Sequence, residues 1–170
     1  MTAAQGSNAG PADSAGHLGR TGQLRTSAGA APPVRSLTVL LYSDDIATRD
    51  QVRLAVGRRP ARDIEVSSWR ECATAYAVIE AVETGSFDLL ILDGEAAKVG
   101  GLGLCRQLKN EIFDCPPVLV LIGRPQDAWL AAWSQADLAV AQPLDPIAVA
   151  TAVATLGRSA RRGDDAVATL

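Results

Sequence analysis

The chain has 170 residues, 48% of them hydrophobic but only 4% aromatic, and its 16 basic against 19 acidic side chains leave a net charge of −3. That length fits one domain with loose ends, and the near balance of charge gives no reason to expect a nucleic-acid or anionic-membrane partner. Three cysteines, Cys72, Cys105 and Cys115, form neither a CxxC pair nor an even framework, which reads as reduced thiols in a cytoplasmic protein.

Residues 1–35 are rich in Gly, Ala, Ser and Pro and contain no hydrophobic block, hence neither a signal-peptide core nor a membrane span. Such a segment buries too little surface to offset its ordering entropy and is expected to be a disordered arm. The only histidine, His17, lies in it and is read as solvated. Residues 159–170, SARRGDDAVATL, repeat this character as a flexible tail, which leaves 36–158 as the folded unit.

Within that unit, LTVLLYS (37–43) is apolar on both faces, as a central parallel strand covered by helices would be. Asp44 or Asp45 can cap the following helix, in which Val52, Ala55 and Val56 share a face. IEVSSW (64–69) alternates more and reads as a strand nearer an edge. Ala75, Val78, Ile79 and Val82 then make a helical stripe, stopped by Gly85. FDLLIL (87–92) is the third strand, and its apolar run stops at a carboxylate, Asp93. GGLG (100–103) reads as a helix-entry turn, and Leu104, Cys105, Leu108 and Ile112 as the next helical face before Pro116-Pro117. VLVLI (118–122) is a wholly apolar fourth strand. Trp129, Ala132, Trp133 and Ala136 repeat the helical spacing, with the stripe expected to pack at least one tryptophan on the sheet. LAVAQ (138–142) is a short fifth strand, and Pro146 opens a last helix to about Leu156.

Five strand–helix units predict an α/β fold, a doubly wound five-stranded parallel sheet of the flavodoxin-like kind, because parallel neighbours need right-handed helical crossovers. In such sheets ligands gather at the carboxyl ends of the strands. Asp93 stands at one such end, Asp44 and Asp45 at another. If Asp44 and Asp93 approach within about 4 Å, their repulsion is of order 4 kcal/mol at an effective dielectric near 20, and a divalent cation would relieve it. The bland alternative is that Asp44 and Asp45 only cap a helix while Asp93-Gly94 starts a turn. Spacing alone does not separate the two.

The ordered set YSDD, LLILDGEAAKVGGLGLCRQLK, PPVLVLIG and AVAQPLDP resembles the receiver domain of bacterial response regulators over nearly all of 37–156, including a glycine, Gly101, eight residues after Asp93. The resemblance implies that Asp93 is at the phosphoacceptor position and Asp44 at a magnesium-ligand position, with Glu95 offering its backbone carbonyl to Mg2+. It also marks four departures. Ser43 stands where the family has a second acid, which weakens any Mg2+ binding. Ile122 replaces a hydroxyl residue that meets the phosphoryl group. Gln142 replaces a lysine that faces it, and charge-assisted hydrogen bonds are roughly twice as strong as neutral ones. Ala139 replaces an aromatic residue that moves with the hydroxyl. Without differential contacts, phosphorylation cannot shift a population. The expectation is an atypical, degenerate, stand-alone receiver, not an enzyme, that signals through protein–protein interaction with weakened or absent phosphorylation control.

Three rivals stand beside it. One is a working receiver of a phosphorelay using Asp93 and Mg2+, with Arg124 swinging in; Arg124 reads more simply as a solvated loop charge. Another is a small-molecule or nucleotide binder on the same fold, disfavoured because SDDIATR sets carboxylates where a phosphate would sit. The third is a DNA-binding regulator, disfavoured because only a dozen residues follow the last helix. In the family the fourth helix, fifth strand and fifth helix commonly meet partners or a second copy. Trp129, Leu130 and Trp133 lie on that fourth helix and are the expected partner surface.

Overall fold

The computed structural model describes residues 33–160, so the readings of the arm up to residue 32, of His17 and of the tail beyond Ala160 lie outside the described residues. Arg35 of the expected arm already stands in a strand and Ser159 of the expected tail in the last helix. Arg35–Tyr42 form β1, whose apolar side chains are buried on both faces. Asp45 then caps α1, Ile46–Val56, by accepting hydrogen bonds from the Ala47 and Thr48 backbone N–H groups. Of the two acids that could cap this helix, it is the second that does. β2 is Ile64–Cys72, α2 Ala75–Thr84 and β3 Leu89–Asp93. α3 spans Gly101–Glu111, β4 Val118–Ile122, α4 Ala128–Trp133, β5 Leu138–Ala141 and α5 Pro146–Ser159.

The strands make one parallel sheet in the order β2-β1-β3-β4-β5. This is the expected doubly wound architecture, with β2 on an edge as its alternating sequence predicts. Strand alternation divides the core in two. Val39, Leu41, Leu89, Ile91, Leu119 and Leu121 pack with Val52 of α1 and Val149 and Val153 of α5. Leu40, Leu90, Leu92, Val118 and Val120 pack with Val78 of α2 and Leu104 and Leu108 of α3 on the other side. The β1–β2 register shifts at Leu37/Thr38, leaving Ser67 as the extra residue, and its hydroxyl donates to the Leu37 carbonyl.

Several element limits differ from expectation for identifiable reasons. β3 opens at Leu89, because Asp88 meets Thr38 with both its backbone N–H and its carboxylate, which accepts from the Thr38 N–H. β2 runs on to Cys72, opposite Tyr42. The larger correction is α4. A 3-10 turn, Pro125–Asp127, precedes it, and Gln135 with φ of 63° ends it before Ala136. Its packed residue is Ala131, next to a buried Ser134 whose hydroxyl bonds the Ala131 carbonyl. Trp129 and Trp133 are instead 66% and 50% exposed, so neither indole is a core residue. In an alanine-rich turn the small side chains allow the closest approach to the sheet, and the bulky stripe faces outward.

Candidate functional site

Register brings the site together. β1 and β3 pair Val39 with Leu89, Leu41 with Ile91 and Tyr42 with Leu92. The next step along both strands sets Ser43 beside Asp93 on one face. Ser43 is fully buried and Asp93 only 3% exposed. The Ser43 hydroxyl donates to Asp93 Oδ2 at 2.7 Å, while the Glu95 backbone N–H donates to Asp93 Oδ1 at 3.0 Å. Ser43 Oγ in turn accepts from the Asp45 N–H at 3.1 Å. Behind it, Arg49 donates to the Ser43 carbonyl at 2.6 Å and pairs with Glu71 on the edge strand at 3.2 Å. Each oxygen of the buried carboxylate thus has a donor from the chain itself, as a buried charge requires.

Asp44 is exposed, and its Oδ2 accepts from the Ala97 N–H at 3.0 Å, pinning the loop between β3 and α3. Tyr42 donates to the Val99 carbonyl of the same loop at 2.6 Å. Burial, then the charges of Asp44 and Asp93, push the Tyr42 phenol above its ordinary value. Asp44 follows Ser43 just past β1 and Asp93 closes β3, so both acids lie at one end of the sheet. Gly101 begins α3 in direct contact with this end: a β-carbon there would lie 2.5 Å from the Asp93 carbonyl oxygen. Only a glycine lets the helix start so close to the strand.

The remaining predicted residues each have their own setting. Asp45 is committed to the cap of α1, with a further bond from the Thr48 hydroxyl. Ile122 is buried among the apolar residues on the α2/α3 side and Ala139 packs against them. Gln142 donates its backbone N–H to the Ile122 carbonyl. Arg124 pairs with Asp127 at 3.1 Å, as a loop charge does. The Glu95 carboxylate lies over Gly123. Ser43 as a donor to Asp93, and the tethers from Tyr42 and Arg49, were not foreseen. Counting alternate residues back from Ser43 and Asp93 along their strands would have placed the first.

The donor set suits a hard cation poorly. Such an ion takes oxygen lone pairs, preferably several carboxylates. Here Ser43 turns its proton to Asp93, and three of the four oxygens of Asp44 and Asp93 already accept backbone or hydroxyl donors. Among the described residues, no group of three or more His, Cys, Asp or Glu could hold a metal ion. The cysteines take no part: Cys72 and Cys105 are buried, and burial pushes the Cys105 thiol up to about 11. No described helix is long and apolar enough to cross a membrane.

No family model matches the chain. Two curated relatives, uncharacterised response regulatory proteins of Mycobacterium tuberculosis strains CDC 1551 and H37Rv, are each 47% identical over 124 residues, covering 73% of this chain and 93% of theirs. Among solved structures, the receiver domain of a Francisella response regulator superposes with a TM-score of 0.60 at 15% identity, covering 74% of this chain and 99% of its own. A chemotaxis response regulator of Vibrio cholerae gives 0.59 at 16% identity, covering 72% and 99%. At such identities the structures speak for the fold alone, whereas the mycobacterial sequences extend the likeness to the family. The ordered acids at the ends of β1 and β3, the parallel sheet that brings them together and these relatives agree: the chain belongs to the response regulators and carries their receiver domain.

Proposed function

We propose that this receiver acts in the cytoplasm by binding another protein, or a second copy of itself, with phosphorylation control weakened or absent, and that it is not an enzyme. One observation carries the reading: the 2.7 Å bond from the Ser43 hydroxyl to Asp93. It supplies from the chain part of what a cation would otherwise supply at the acceptor position, so the carboxylate is satisfied without one. A phosphoryl group on Asp93 would add charge where Ile122 offers no hydroxyl and Gln142 no cation. It would therefore gain little differential contact with which to favour a second conformation.

The surface of α4, β5 and α5 supports the partner role. Trp129, Trp133 and, at the start of α5, Ile147 are exposed, with Leu130 half-buried beside them. Exposed tryptophans are frequent interface anchors. Trp133 is braced by Arg106 of α3, whose guanidinium lies 4.9 Å from the ring centroid.

The test is incubation with millimolar magnesium and acetyl phosphate, followed by intact mass and tryptophan fluorescence. The expected result is little phosphoryl adduct and no fluorescence change, with Asp93→Asn retaining association. A rapid adduct that Asp93→Asn abolishes would favour the second reading, a phosphorelay receiver with Mg2+ at Asp44, Asp93 and the Glu95 carbonyl. The retention of Asp93 at the end of β3 is what speaks for that reading.

A further inference from the structure

We infer that Glu95 is a resident lid: its carboxylate fills, over Gly123, the approach by which an anionic phosphoryl donor would reach Asp93. The inference rests on reading Asp93 as the acceptor position, and it gives the weak phosphorylation control proposed above a specific cause.

The geometry comes from both ends of the Glu95 residue. Its backbone N–H is bonded to Asp93 Oδ1, so its main chain is fixed against the acceptor. Its side chain crosses from the end of β3 to the end of β4. There Cδ, Oε2 and Oε1 lie 2.7, 2.8 and 2.9 Å from where a β-carbon of Gly123 would stand. Three nearly equal distances mean that the carboxylate lies flat on the glycine. Gly123 is not needed for its backbone: among the described glycines only Gly57 has a positive φ. What the missing side chain provides at position 123 is room, and the Glu95 carboxylate occupies it.

The surroundings agree. Asp93 is 3% exposed although it ends a strand at the open side of the sheet, whereas Asp44, two residues past the end of the neighbouring strand, is exposed. Ser43 closes Asp93 from the β1 side, and Glu95 reaches across on the β4 side. Arg124, the residue after Gly123, turns its guanidinium to Asp127 rather than to Glu95. The lid therefore obstructs by volume and, being anionic, repels phosphate by charge.

The reaction to be obstructed is a displacement at phosphorus. A carboxylate oxygen of Asp93 forms the new O–P bond as the P–O bond of acetyl phosphate breaks, and acetate leaves with the electron pair. The full chain, Glu95→Gln, Glu95→Ala and each combined with Asp93→Asn would be incubated with millimolar magnesium and acetyl phosphate, and the rate of adduct formation read by intact mass. Glu95→Ala is expected to label about tenfold faster than the parent and Glu95→Gln to fall between, since it removes charge but keeps volume; Asp93→Asn should abolish both gains. If no variant labels faster than a slow parent, the lid is overturned and the phosphate-independent reading stands. If the parent itself labels rapidly, that reading falls, and the lid survives only if Glu95→Ala is faster still. A second measurement tests the contact itself. Gly123→Ala should lower the melting temperature in the parent but not in Glu95→Ala, where no carboxylate opposes the new methyl; equal losses in both backgrounds would overturn the contact.

Discussion

Replacing Ser43 with aspartate would test whether the serine has taken over the task of an ion. In the parent, Ser43 Oγ and Asp93 Oδ2 are 2.7 Å apart, with both residues buried. A carboxylate in the serine's place would bring two negative charges to about 4 Å, a repulsion of order 4 kcal/mol at an effective dielectric near 20. The lost hydroxyl-to-carboxylate hydrogen bond removes roughly 1.5–3 kcal/mol more. Together these approach the whole stability of an ordinary domain, about 5–15 kcal/mol, so the metal-free variant should be marginally folded. Magnesium would relieve the repulsion, and a ligand at a hundred times its Kd restores about 2.7 kcal/mol. Urea unfolding in chelator and in millimolar magnesium reads both effects. The parent should be almost indifferent to the ion and Ser43→Asp strongly dependent on it. A variant as stable as the parent in chelator would show that the buried contact does not exist. A parent that gains as much from magnesium as the variant would show that the hydroxyl replaces nothing.

Three further outcomes are expected. The Arg158 guanidinium, donating from Nε and one terminal nitrogen to the two oxygens of Asp63, holds the Asp63 carboxyl at about 2, below its ordinary 3.8. A depressed folded value means the pair contributes stability above the ordinary value and loses it as pH falls toward about 2, so Asp63→Asn should flatten the acid limb of a stability–pH curve in that window. Asp45→Ala removes the cap of α1 and should lower stability by about 1 kcal/mol, seen as a drop of roughly 3–6 °C in Tm. Trp129→Ala should leave stability within about 0.5 kcal/mol, as exposed positions do, while weakening self-association or partner capture in sedimentation and pull-down experiments; unchanged association would remove α4 from the interface.

The sheet was legible because its strands are buried on both faces and therefore appear as unbroken apolar runs; VLVLI coincides with β4 residue for residue. The cap of α1 was legible through side-chain chemistry as Asp44 or Asp45, of which Asp45 serves. What periodicity could not convey was which stripe of a short alanine-rich helix faces inward: Ala131, not the tryptophans, packs on the sheet. At the site, the identities and the order of the acids pointed to a common end of the sheet. The bond between Ser43 and Asp93 depends on β1 and β3, separated in the chain by two helices and an edge strand, being neighbours in register; alternate counting along the two strands places it only once that pairing is assumed. Gly123 was likewise opaque, because the group that fills its space comes from another loop.

The loop after β3 is tied down twice from β1, by Asp44 to the Ala97 N–H and by Tyr42 to the Val99 carbonyl. Both ties are intrinsic to the polypeptide, so the fold itself sets the contour at this rim. A binding protein that grips this rim would lose little entropy in ordering it and would meet the same relief in every molecule. Information would then reside in how many copies the cell makes and where they gather, rather than in what each copy has been told.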